Sequence, residues 1–389
     1  MNYYIVADMM IKAIMSSLKL DKLCLFGMGD ACNSFLDNSI LRNDVEKIFD
    51  NDSSKWGGIK NVLSPEYINR DLNALYIIMS MYDEEIGKQL QALGVTNYIS
   101  YYQVLDFIKV KLGLAHISIK ACMIEATNYC NAACSFCANP TMKRKKMHMT
   151  SDIFEKIIER LHIENQTPEW FWLHCLGEPL LDPDIFQKVH RLKVEFPNSK
   201  VGFTSNFSIA NADTIDSIFT SGQDYIYISL NAINETDYEQ IMHLKYQKTL
   251  SNINDLLREK EKRQSEIQIV LSIVETPGNE QQVNLFKENW GTKAEVRVIK
   301  QGKWIDSRLK SESRRKRHLV CNQLLEEICI LSNGDYALCC FDGEGTIPLG
   351  NVMERSLAEM FVCEEKQMII DQFLFSDKEV SVCAECSFY

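Results

Sequence analysis

Three cysteines stand in the segment Asn128-Tyr129-Cys130-Asn131-Ala132-Ala133-Cys134-Ser135-Phe136-Cys137, with the spacing C-x3-C-x2-C. The segment follows the apolar run Ile117–Ala126, so the three thiols lie on a loop after a predicted strand. Three thiolates can converge on one metal centre. A structural zinc site usually takes four protein ligands, whereas an iron–sulfur cube held by three cysteines keeps one iron open. The absence of a local fourth cysteine favours the cube, and a zinc site is the alternative.

Composition and charge limit the kind of protein this is. Of 389 residues, 46% are hydrophobic and 24% charged, which is typical of a folded globular chain. The net charge of −11 makes nucleic acid an unlikely partner. No apolar run approaches the roughly 18 residues of a membrane span, and the start lacks a signal peptide, so we expect a cytoplasmic protein. Because disulfides are rare in the cytosol, the 14 cysteines indicate metal or redox chemistry.

Six apolar runs downstream of residue 116 alternate with amphipathic helical stretches. They are Ile117–Ala126, Trp170–Leu176, Lys200–Ser205, Tyr225–Leu230, Ile267–Val274 and Ala294–Ile299. This alternation predicts an α/β fold, an open (βα)6 parallel barrel over residues 116–301. Functional residues of such a barrel lie at the carboxyl ends of its strands.

Polar motifs do stand at those strand ends. The second run ends in His174-Cys175-Leu176-Gly177-Glu178-Pro179, the third in Ser205-Asn206 and the fourth in Ser229-Leu230-Asn231, and the fifth contains Ser272. In this order, together with the cysteine loop, they resemble the radical SAM superfamily. The resemblance implies that Cys130, Cys134 and Cys137 hold a [4Fe–4S] cluster whose open iron binds S-adenosylmethionine. Its reductive cleavage gives a 5′-deoxyadenosyl radical that abstracts a substrate hydrogen.

The same resemblance implies the contacts to S-adenosylmethionine. Gly177, Glu178 and Pro179 match the motif that holds its ammonium group, and Phe136 matches an aromatic position whose backbone meets the adenine. Polar positions near the strand ends match those that face its ribose and carboxylate: Ser205, Asn206, Ser229, Asn231 and Ser272. Each of these residues alone could be an ordinary turn or strand-end residue, and their joint order carries the interpretation.

Residues 302–389 contain a second cysteine pattern. Cys321 is followed by twelve residues, Gly334, four more residues and Cys339, and then by Cys383-Ala384-Glu385-Cys386. Four thiolates can ligate a second cube, and a four-cysteine zinc site is the alternative. The pattern resembles the SPASM/twitch extension of the superfamily. Because no further CxxC partner follows, it implies one auxiliary [4Fe–4S] cluster, as in the shorter twitch type.

The remaining cysteines of this segment are interpreted by geometry. Neighbouring side chains on an extended segment point in opposite directions, so Cys339 rather than Cys340 is the predicted ligand. Cys329 and Cys363 are predicted to pack in the interior, although either could replace a ligand if the spacing misleads.

Residues 1–115 predict a Rossmann-like domain, with strands Lys22–Phe26, Val45–Phe49 and Leu75–Ser80 and a helix at Glu84–Leu93. Gly27 and Gly29 follow the first strand, where backbone amides could meet a phosphate, and Asp50 could hold a ribose hydroxyl. Cys32 replaces the third fingerprint glycine, so a purely structural or dimerising unit is the alternative. The segment around Asp50 resembles a nucleotide-sugar-binding domain found before some sugar acyltransferases and methyltransferases, and a nucleotide or nucleotide-sugar is an expected ligand.

Four residues are candidates for chemistry on the substrate. Cys175 and Cys340 could return a hydrogen atom, His174 could act as a base, and Arg297 could contact the substrate. Two basic runs, Lys143–Lys146 and Arg314–Arg317, are either solvated faces or a docking patch for a flavodoxin-like or ferredoxin-like electron donor or a phosphorylated substrate.

The leading hypothesis is radical oxidation of a sugar-like or cyclitol alcohol to a carbonyl, with the auxiliary cluster as electron acceptor. Redox-neutral epimerisation of a sugar is the second hypothesis, and modification of a ribosomally made peptide the third, although the N-terminal segment does not resemble a peptide-clasping wing. A non-catalytic iron–sulfur or zinc scaffold is the alternative from another class of protein.

Overall fold

The computed structural model describes residues 3–58, 60–68, 73–111, 119–276, 278–300 and 321–375. In these ranges the strands are β1 (Lys22–Phe26), β2 (Val45–Phe49), β3 (Val62–Leu63), β4 (Ala74–Ile78), β5 (Tyr98–Ser100), β6 (Ala121–Ile124), β7 (Trp170–Trp172), β8 (Lys200–Ser205), β9 (Tyr225–Ser229), β10 (Gln268–Glu275), β11 (Glu295–Lys300), β12 (Glu327–Ile330) and β13 (Tyr336–Ala337).

The helices of the same ranges are α1 (Tyr3–Ser17), α2 (Asp30–Asn38), α3 (Asp83–Ala92), α4 (Tyr101–Lys111), α5 (Ser151–Ile163), α6 (Ile185–Glu195), α7 (Ala212–Thr220), α8 (Glu235–Met242), α9 (Tyr246–Arg263), α10 (Glu280–Trp290), α11 (Asn322–Leu325), α12 (Leu357–Phe361) and α13 (Glu364–Phe375). None of the described helices is both long enough and apolar enough to cross a membrane.

The N-terminal unit is built on a five-stranded sheet in the order β3-β2-β1-β4-β5, and all of its strand pairs are parallel. The strand order reverses between β1 and β4, which is where open α/β sheets leave a crevice at their carboxyl edge. Separate apolar clusters cover the two faces of the sheet. The predicted strands lie within a few residues of β1, β2 and β4, whereas α1 and the two-residue strand β3 were not predicted.

The larger sheet has eight strands in the order β11-β10-β9-β8-β7-β6-β12-β13. Strands β6 to β11 are parallel and adjacent in chain order, and helices such as α5, α6, α7 and α10 stand between them in sequence. Strand β12 pairs parallel with β6, and β13 pairs antiparallel with β12. The segment after residue 301 therefore extends the same sheet, a pairing that the sequence analysis did not anticipate.

Strand β7 is shorter than predicted. The apolar run Trp170–Leu176 suggested a strand to Leu176, but β7 ends at Trp172. The chain leaves the sheet here because the backbone of Leu176 bonds to two other segments. Its N–H donates to Glu125 Oε1 at 3.4 Å, and its carbonyl accepts from Asn139 Nδ2 at 2.8 Å. The residues after β7 are thereby placed against the segment that follows β6.

Helix α13 connects the two units. Ile369 belongs to the apolar cluster of the larger sheet, whereas its neighbour Ile370 belongs to the cluster of the N-terminal unit. Helix α13 also contacts α1 and α12. The C-terminal segment therefore packs against both sheets at once.

We expect Gly202→Ala to destabilise the larger sheet. A Cβ on Gly202 would lie 2.1 Å from the carbonyl oxygen of Tyr225 on the paired strand β9, and strand backbone cannot yield without loss of hydrogen bonds. Overpacking of this kind costs about 1–3 kcal/mol, measured as a lower urea midpoint of unfolding. Gly29→Ala is the control, because a Cβ there meets nothing within 4 Å. Equal midpoints for the two variants would contradict this packing.

Candidate active site

The three-cysteine loop follows β6 and is fixed by its own backbone. Cys130 Sγ accepts from the N–H of Ala132 at 3.5 Å, and Cys137 Sγ accepts from the N–H of Asn139 at 3.4 Å. Burial raises the pKa of the Cys134 thiol to about 12 and that of Cys137 to about 11, so a bound metal must stabilise the thiolates.

The donor set fits an iron–sulfur cube better than a single ion. The thiol of Cys134 interacts electrostatically with those of Cys130 and Cys137, so the three lie near one another. A structural zinc ion usually takes four protein ligands, whereas three cysteines suffice for a cube whose fourth iron stays open. A cube binds each thiolate at a different iron, so its ligands are farther apart than those of one zinc ion.

The loop after β7 lies directly against the cysteine loop. A Cβ on Gly177 would lie 1.9 Å from the carbonyl oxygen of Thr127, so only glycine fits there. The N–H of Glu178 donates to the carbonyl of Tyr129 at 2.8 Å, which ties the two loops together next to Cys130. Pro179, which is buried, then starts a 3-10 turn. The structure thus brings the predicted Gly-Glu-Pro motif and the cysteines into one site.

Glu178 is buried and joins the end of β8 to this site. Its carboxylate accepts from Ser205 Oγ at 2.7 Å, from the N–H of Asn206 at 2.7 Å and from the N–H of Leu180 at 3.1 Å. Burial raises the pKa of Glu178 to about 7, and these three donors act in the opposite direction. An ammonium group of a ligand would complete the set of partners and favour the carboxylate form.

A buried ion pair that the sequence analysis missed supports the whole site. Glu125, at the end of β6, is fully buried, and both of its oxygens lie 2.9 Å from Arg144 Nη2. Arg144 Nε donates to the carbonyl of Gly343 at 2.7 Å, and Glu125 Oε2 accepts from the N–H of Ser332 at 3.0 Å. The pair therefore joins the cysteine-loop segment to the C-terminal segment.

Two of the four cations in the basic run Lys143–Lys146 have partners within the fold. Arg144 is engaged by Glu125, and Lys146 Nζ donates to Asn139 Oδ1 at 2.7 Å and to the carbonyl of Asn128 at 3.0 Å. These two cations are used within the fold, and the docking role predicted for the run stays a prediction. The second run, Arg314–Arg317, lies outside the described residues.

A continuous aromatic strip, which we call the aromatic wall, lies on the face of the sheet away from its helix-packed core. Trp172 on β7 contacts the rings of Tyr225 and Tyr227 on β9, with centroid distances of 4.8 and 5.5 Å, and stacks on Trp170 at 5.6 Å. Arg297 on β11 covers Tyr227 at 5.5 Å and donates to its hydroxyl at 3.3 Å. The sequence contained these residues, but only the strand register shows that they meet.

Ser229, Ser272 and Arg297 lie in register on three adjacent strands. Ser272 is buried and donates to the carbonyl of Ile228 at 3.3 Å, so its hydroxyl is used within the sheet. Asn231 has φ of 56°, accepts from the N–H of Val274 and donates to Met242 Sδ. The cofactor contacts predicted for these residues stay predictions.

Asn206 and Phe136 also lie near the cysteine loop. Asn206 Nδ2 donates to Asn131 Oδ1 at 2.9 Å, so the end of β8 contacts this loop directly. Phe136 is partly buried against the core of the larger sheet. Their predicted roles toward the cofactor are untested.

His174 stands next to the aromatic wall, with its ring edge-on to Trp172 at 5.7 Å. Its Nδ1 accepts from the N–H of Thr204 at 3.2 Å, so the neutral ring carries its proton on Nε2. Burial lowers the pKa of His174 to about 4. The neutral ring presents a hydrogen-bond donor, and the predicted role as a base is not favoured by this tautomer.

Cys175 belongs to a group of thiols between the two cysteine patterns. Its Sγ donates to the carbonyl of Cys340 at 3.7 Å, and it forms a hydrogen bond with Cys329 that, with burial, holds the pKa of Cys329 well above its usual range. Cys340 Sγ donates to Gln323 Oε1 at 3.4 Å. Cys329 is 4% exposed in a small apolar cluster, as its predicted packing role requires.

Two of the predicted auxiliary-cluster ligands are in the described ranges. The thiols of Cys321 and Cys339 both act on the ammonium of Lys366, so they lie near one point in space. Cys363 acts on the same ammonium and is buried in the core of the larger sheet. Cys383 and Cys386 lie outside the described residues.

The predicted nucleotide site lies at the carboxyl edge of the N-terminal sheet. Gly27, with φ of 104°, leaves β1 beside Ser80 and Met79, and Gly29 precedes α2. Asp50 Oδ2 accepts from the N–H of Met28 at 2.6 Å and pairs with Lys55 at 3.1 Å. Because the Asp50 carboxylate already fixes this loop, a ribose hydroxyl would have to compete with both partners.

Two protein-family models match this chain. Residues 124–285 match the model of the radical SAM superfamily, and residues 321–387 match that of SPASM, an iron–sulfur cluster-binding domain. This chain carries a radical SAM domain followed by a SPASM domain. No curated protein sequence is significantly similar to the chain.

Solved structures of radical SAM enzymes share the fold. SuiB from Streptococcus suis, bound to S-adenosylmethionine, has 15% identity and a TM-score of 0.51 over 74% of this chain and 78% of SuiB. Native anSMEcpe with bound AdoMet has 14% identity and a TM-score of 0.50 over 66% of this chain and 87% of its own. BtrN in complex with AdoMet and 2-DOIA has 13% identity and a TM-score of 0.47 over 70% and 94%. At such identities the likeness of the first two shows the fold alone.

We expect Arg144→Met to destabilise the protein by about 3–5 kcal/mol, because it leaves the buried Glu125 carboxylate without its partner. Urea unfolding measures the loss. The double variant Arg144→Met/Glu125→Gln should recover part of it, since no buried charge is then unpaired. Arg258→Met is the control, because its ion pair with Asp255 is exposed and worth about 0.2–1 kcal/mol at most. A loss of stability no larger than in the control would contradict the structural role of the Glu125–Arg144 ion pair.

We expect His174 to make the protein sensitive to acid. The folded-state pKa of about 4 is below the ordinary value of 6.5, so the unfolded state binds a proton first as pH falls. The stabilising contribution is present above pH 6.5 and is lost as pH falls to about 4, by about 3 kcal/mol. Urea unfolding against pH should show this loss in the wild type and not in His174→Asn, whose amide oxygen can replace Nδ1. The exposed His243→Asn should behave as wild type; a His174→Asn curve identical to wild type would exclude this titration.

Proposed function

We propose that this radical SAM enzyme oxidises an alcohol carbon of a sugar-like or cyclitol substrate to a carbonyl. The observation that carries the proposal is the aromatic wall with Arg297 at its edge. The rings of Trp172 and Tyr227 are partly exposed and would pack against the C–H faces of a sugar ring. The Arg297 guanidinium, the Tyr227 hydroxyl and the His174 Nε2–H would supply hydrogen bonds to its hydroxyls.

The residues that would hold the cofactors are those of the two cysteine patterns. Cys130, Cys134 and Cys137 would hold the first cluster, and Cys321, Cys339, Cys383 and Cys386 the auxiliary one. When bound, these groups supply one-electron chemistry: S-adenosylmethionine is split into methionine and a 5′-deoxyadenosyl radical, and an electron can be taken up at the auxiliary position. Glu178 would pair with the ammonium of S-adenosylmethionine beside the loop that it already anchors.

The reaction balances as a two-electron oxidation of the alcohol. The alcohol would lose one hydrogen atom from its carbinol carbon, its hydroxyl proton to solvent and one electron, and a C=O bond would form. With the two cofactors held by the cysteines named above, the adenosyl group would take the hydrogen atom as 5′-deoxyadenosine and the auxiliary position would take the electron. A flavodoxin-like or ferredoxin-like protein is the proposed donor of the electron that starts each cycle.

Epimerisation is the second candidate, and the thiol group around Cys175 favours it. Cys175 donates to the carbonyl of Cys340, and its thiol lies near that of Cys137, so a thiol hydrogen is available near the cysteine loop. A peptide substrate is the remaining alternative: one of the solved structures, of SuiB, is bound to its precursor peptide SuiA. The nucleotide or nucleotide-sugar in the N-terminal unit stays a separate proposal.

The test is an anaerobic assay of the reduced, reconstituted enzyme with S-adenosylmethionine and a panel of cyclitols and nucleotide sugars. We expect one compound to raise 5′-deoxyadenosine formation and to lose two hydrogens by mass, with deuterium at its carbinol carbon appearing in deoxyadenosine.

Trp172→Ala should raise the KM for that compound about tenfold, since stacking is lost. Cys134→Ala should abolish cleavage.

Other outcomes identify the competing functions. A product of unchanged mass that carries solvent deuterium at one stereocentre indicates the epimerase. Zinc without any cleavage of S-adenosylmethionine indicates the scaffold, and either result overturns the proposed oxidation.

A further inference from the structure

The cysteine loop is bonded to the segment after β8 through one amide side chain. Asn131, which stands between Cys130 and Cys134, accepts at Oδ1 from Asn206 Nδ2 at 2.9 Å. Its Nδ2 donates to Ser208 Oγ, also at 2.9 Å. Both ends of the Asn131 amide are therefore used on the same segment. Because thiolates ligate a cube without help from an amide, these two bonds act on the placement of the loop.

The two partners of Asn131 are also bonded to each other. Asn206 Oδ1 accepts from Ser208 Oγ at 2.7 Å and from the N–H of Ser208 at 3.0 Å. The three side chains thus close a ring of hydrogen bonds in which each one donates once and accepts at least once. Asn206 is 6% exposed and Ser208 is 9% exposed, so water competes little with these bonds. A satisfied network of this kind specifies one arrangement of its side chains.

A buried amide of α9 supports the ring from the side of the core. Asn252 is 3% exposed, and its Nδ2 donates to the carbonyls of Phe207 at 2.9 Å and of Ser208 at 3.2 Å. Phe207 has φ of 60°, a left-handed conformation that a bulky residue rarely adopts. The bonds from Asn252 offset the cost of this conformation, so the turn that carries Ser208 has a fixed shape.

Asn206 links the same ring to Glu178. Its backbone N–H donates to Glu178 Oε2 at 2.7 Å, while its side chain holds Asn131. One residue therefore contacts both the buried carboxylate and the loop that carries the three thiols. The separation between these two groups depends on the ring of Asn131, Asn206 and Ser208.

We propose that Asn131 is a positioning residue that holds the cysteine loop at a set distance from the Glu178 carboxylate. A ligand that binds an open iron and this carboxylate together needs both at the correct separation. Loss of the ring would weaken the binding of S-adenosylmethionine without removing a ligand of the cluster. This inference rests on the proposed function, in which the cysteine loop holds the first cluster and Glu178 pairs with the ammonium.

The test is a titration of the reduced, reconstituted full chain with S-adenosylmethionine, followed by electron paramagnetic resonance. The signal of the cluster that binds S-adenosylmethionine is the one that changes during the titration. Asn131→Ala removes both bonds of the loop to the ring, and Ser208→Ala removes one of them. Asn254→Ala removes an exposed amide of α9 as the matched control. The iron content of each variant is measured alongside.

We expect Asn131→Ala to keep its iron and to raise the half-saturating concentration of S-adenosylmethionine about tenfold. Ser208→Ala should raise it less, and Asn254→Ala should stay close to the parent. The double variant Asn131→Ala/Ser208→Ala should bind no more weakly than Asn131→Ala, because the two side chains share one bond.

An unchanged half-saturation in Asn131→Ala, or single effects that multiply in the double variant, would overturn the inference. If Asn131→Ala takes up no iron, Ser208→Ala decides, and an unchanged half-saturation in that variant overturns the inference. A parent that holds iron but does not respond to S-adenosylmethionine would instead contradict the proposed function, so the two failures are distinguishable.

Discussion

The Glu125 carboxylate is the constraint on which the site depends. It is fully buried, and its partners come from three separate parts of the chain: Arg144 after the cysteine loop, the N–H of Leu176 before the Gly-Glu-Pro motif, and the N–H of Ser332 after β12. A buried charge cannot be left unpaired without a large cost, so these segments are held together whenever the chain is folded. The cysteine loop is thereby fixed relative to the segment that carries Cys339.

The strands and the cysteine patterns could be predicted from the sequence because their signals are local. The predicted strand Lys200–Ser205 matches β8, and the predicted run at Tyr225 differs from β9 only at its end. The family matches confirm the radical SAM and SPASM domains. The predicted end of β7 was wrong because Leu176 bonds to Asn139, which is distant in sequence, and not to a neighbouring strand.

The partners of charged residues could not be predicted in the same way. Arg144 stands in a run of four basic residues that is typical of a solvated face, yet it pairs with a carboxylate 19 residues away that lies in an apolar strand. The aromatic wall depends on the register between β7, β8 and β9, which no single segment of sequence contains.

The charged groups at the cysteine loop differ from those at the aromatic wall. Around the cysteine loop, Glu178 offers a buried negative group beside the thiols, which suits a cationic ligand such as the ammonium of S-adenosylmethionine. The ring contacts of the aromatic wall are to other rings and to the exposed guanidinium of Arg297. The polyol proposed as substrate would therefore meet aromatic faces and one hydrogen-bonding cation, whereas a cationic ligand would meet the Glu178 carboxylate.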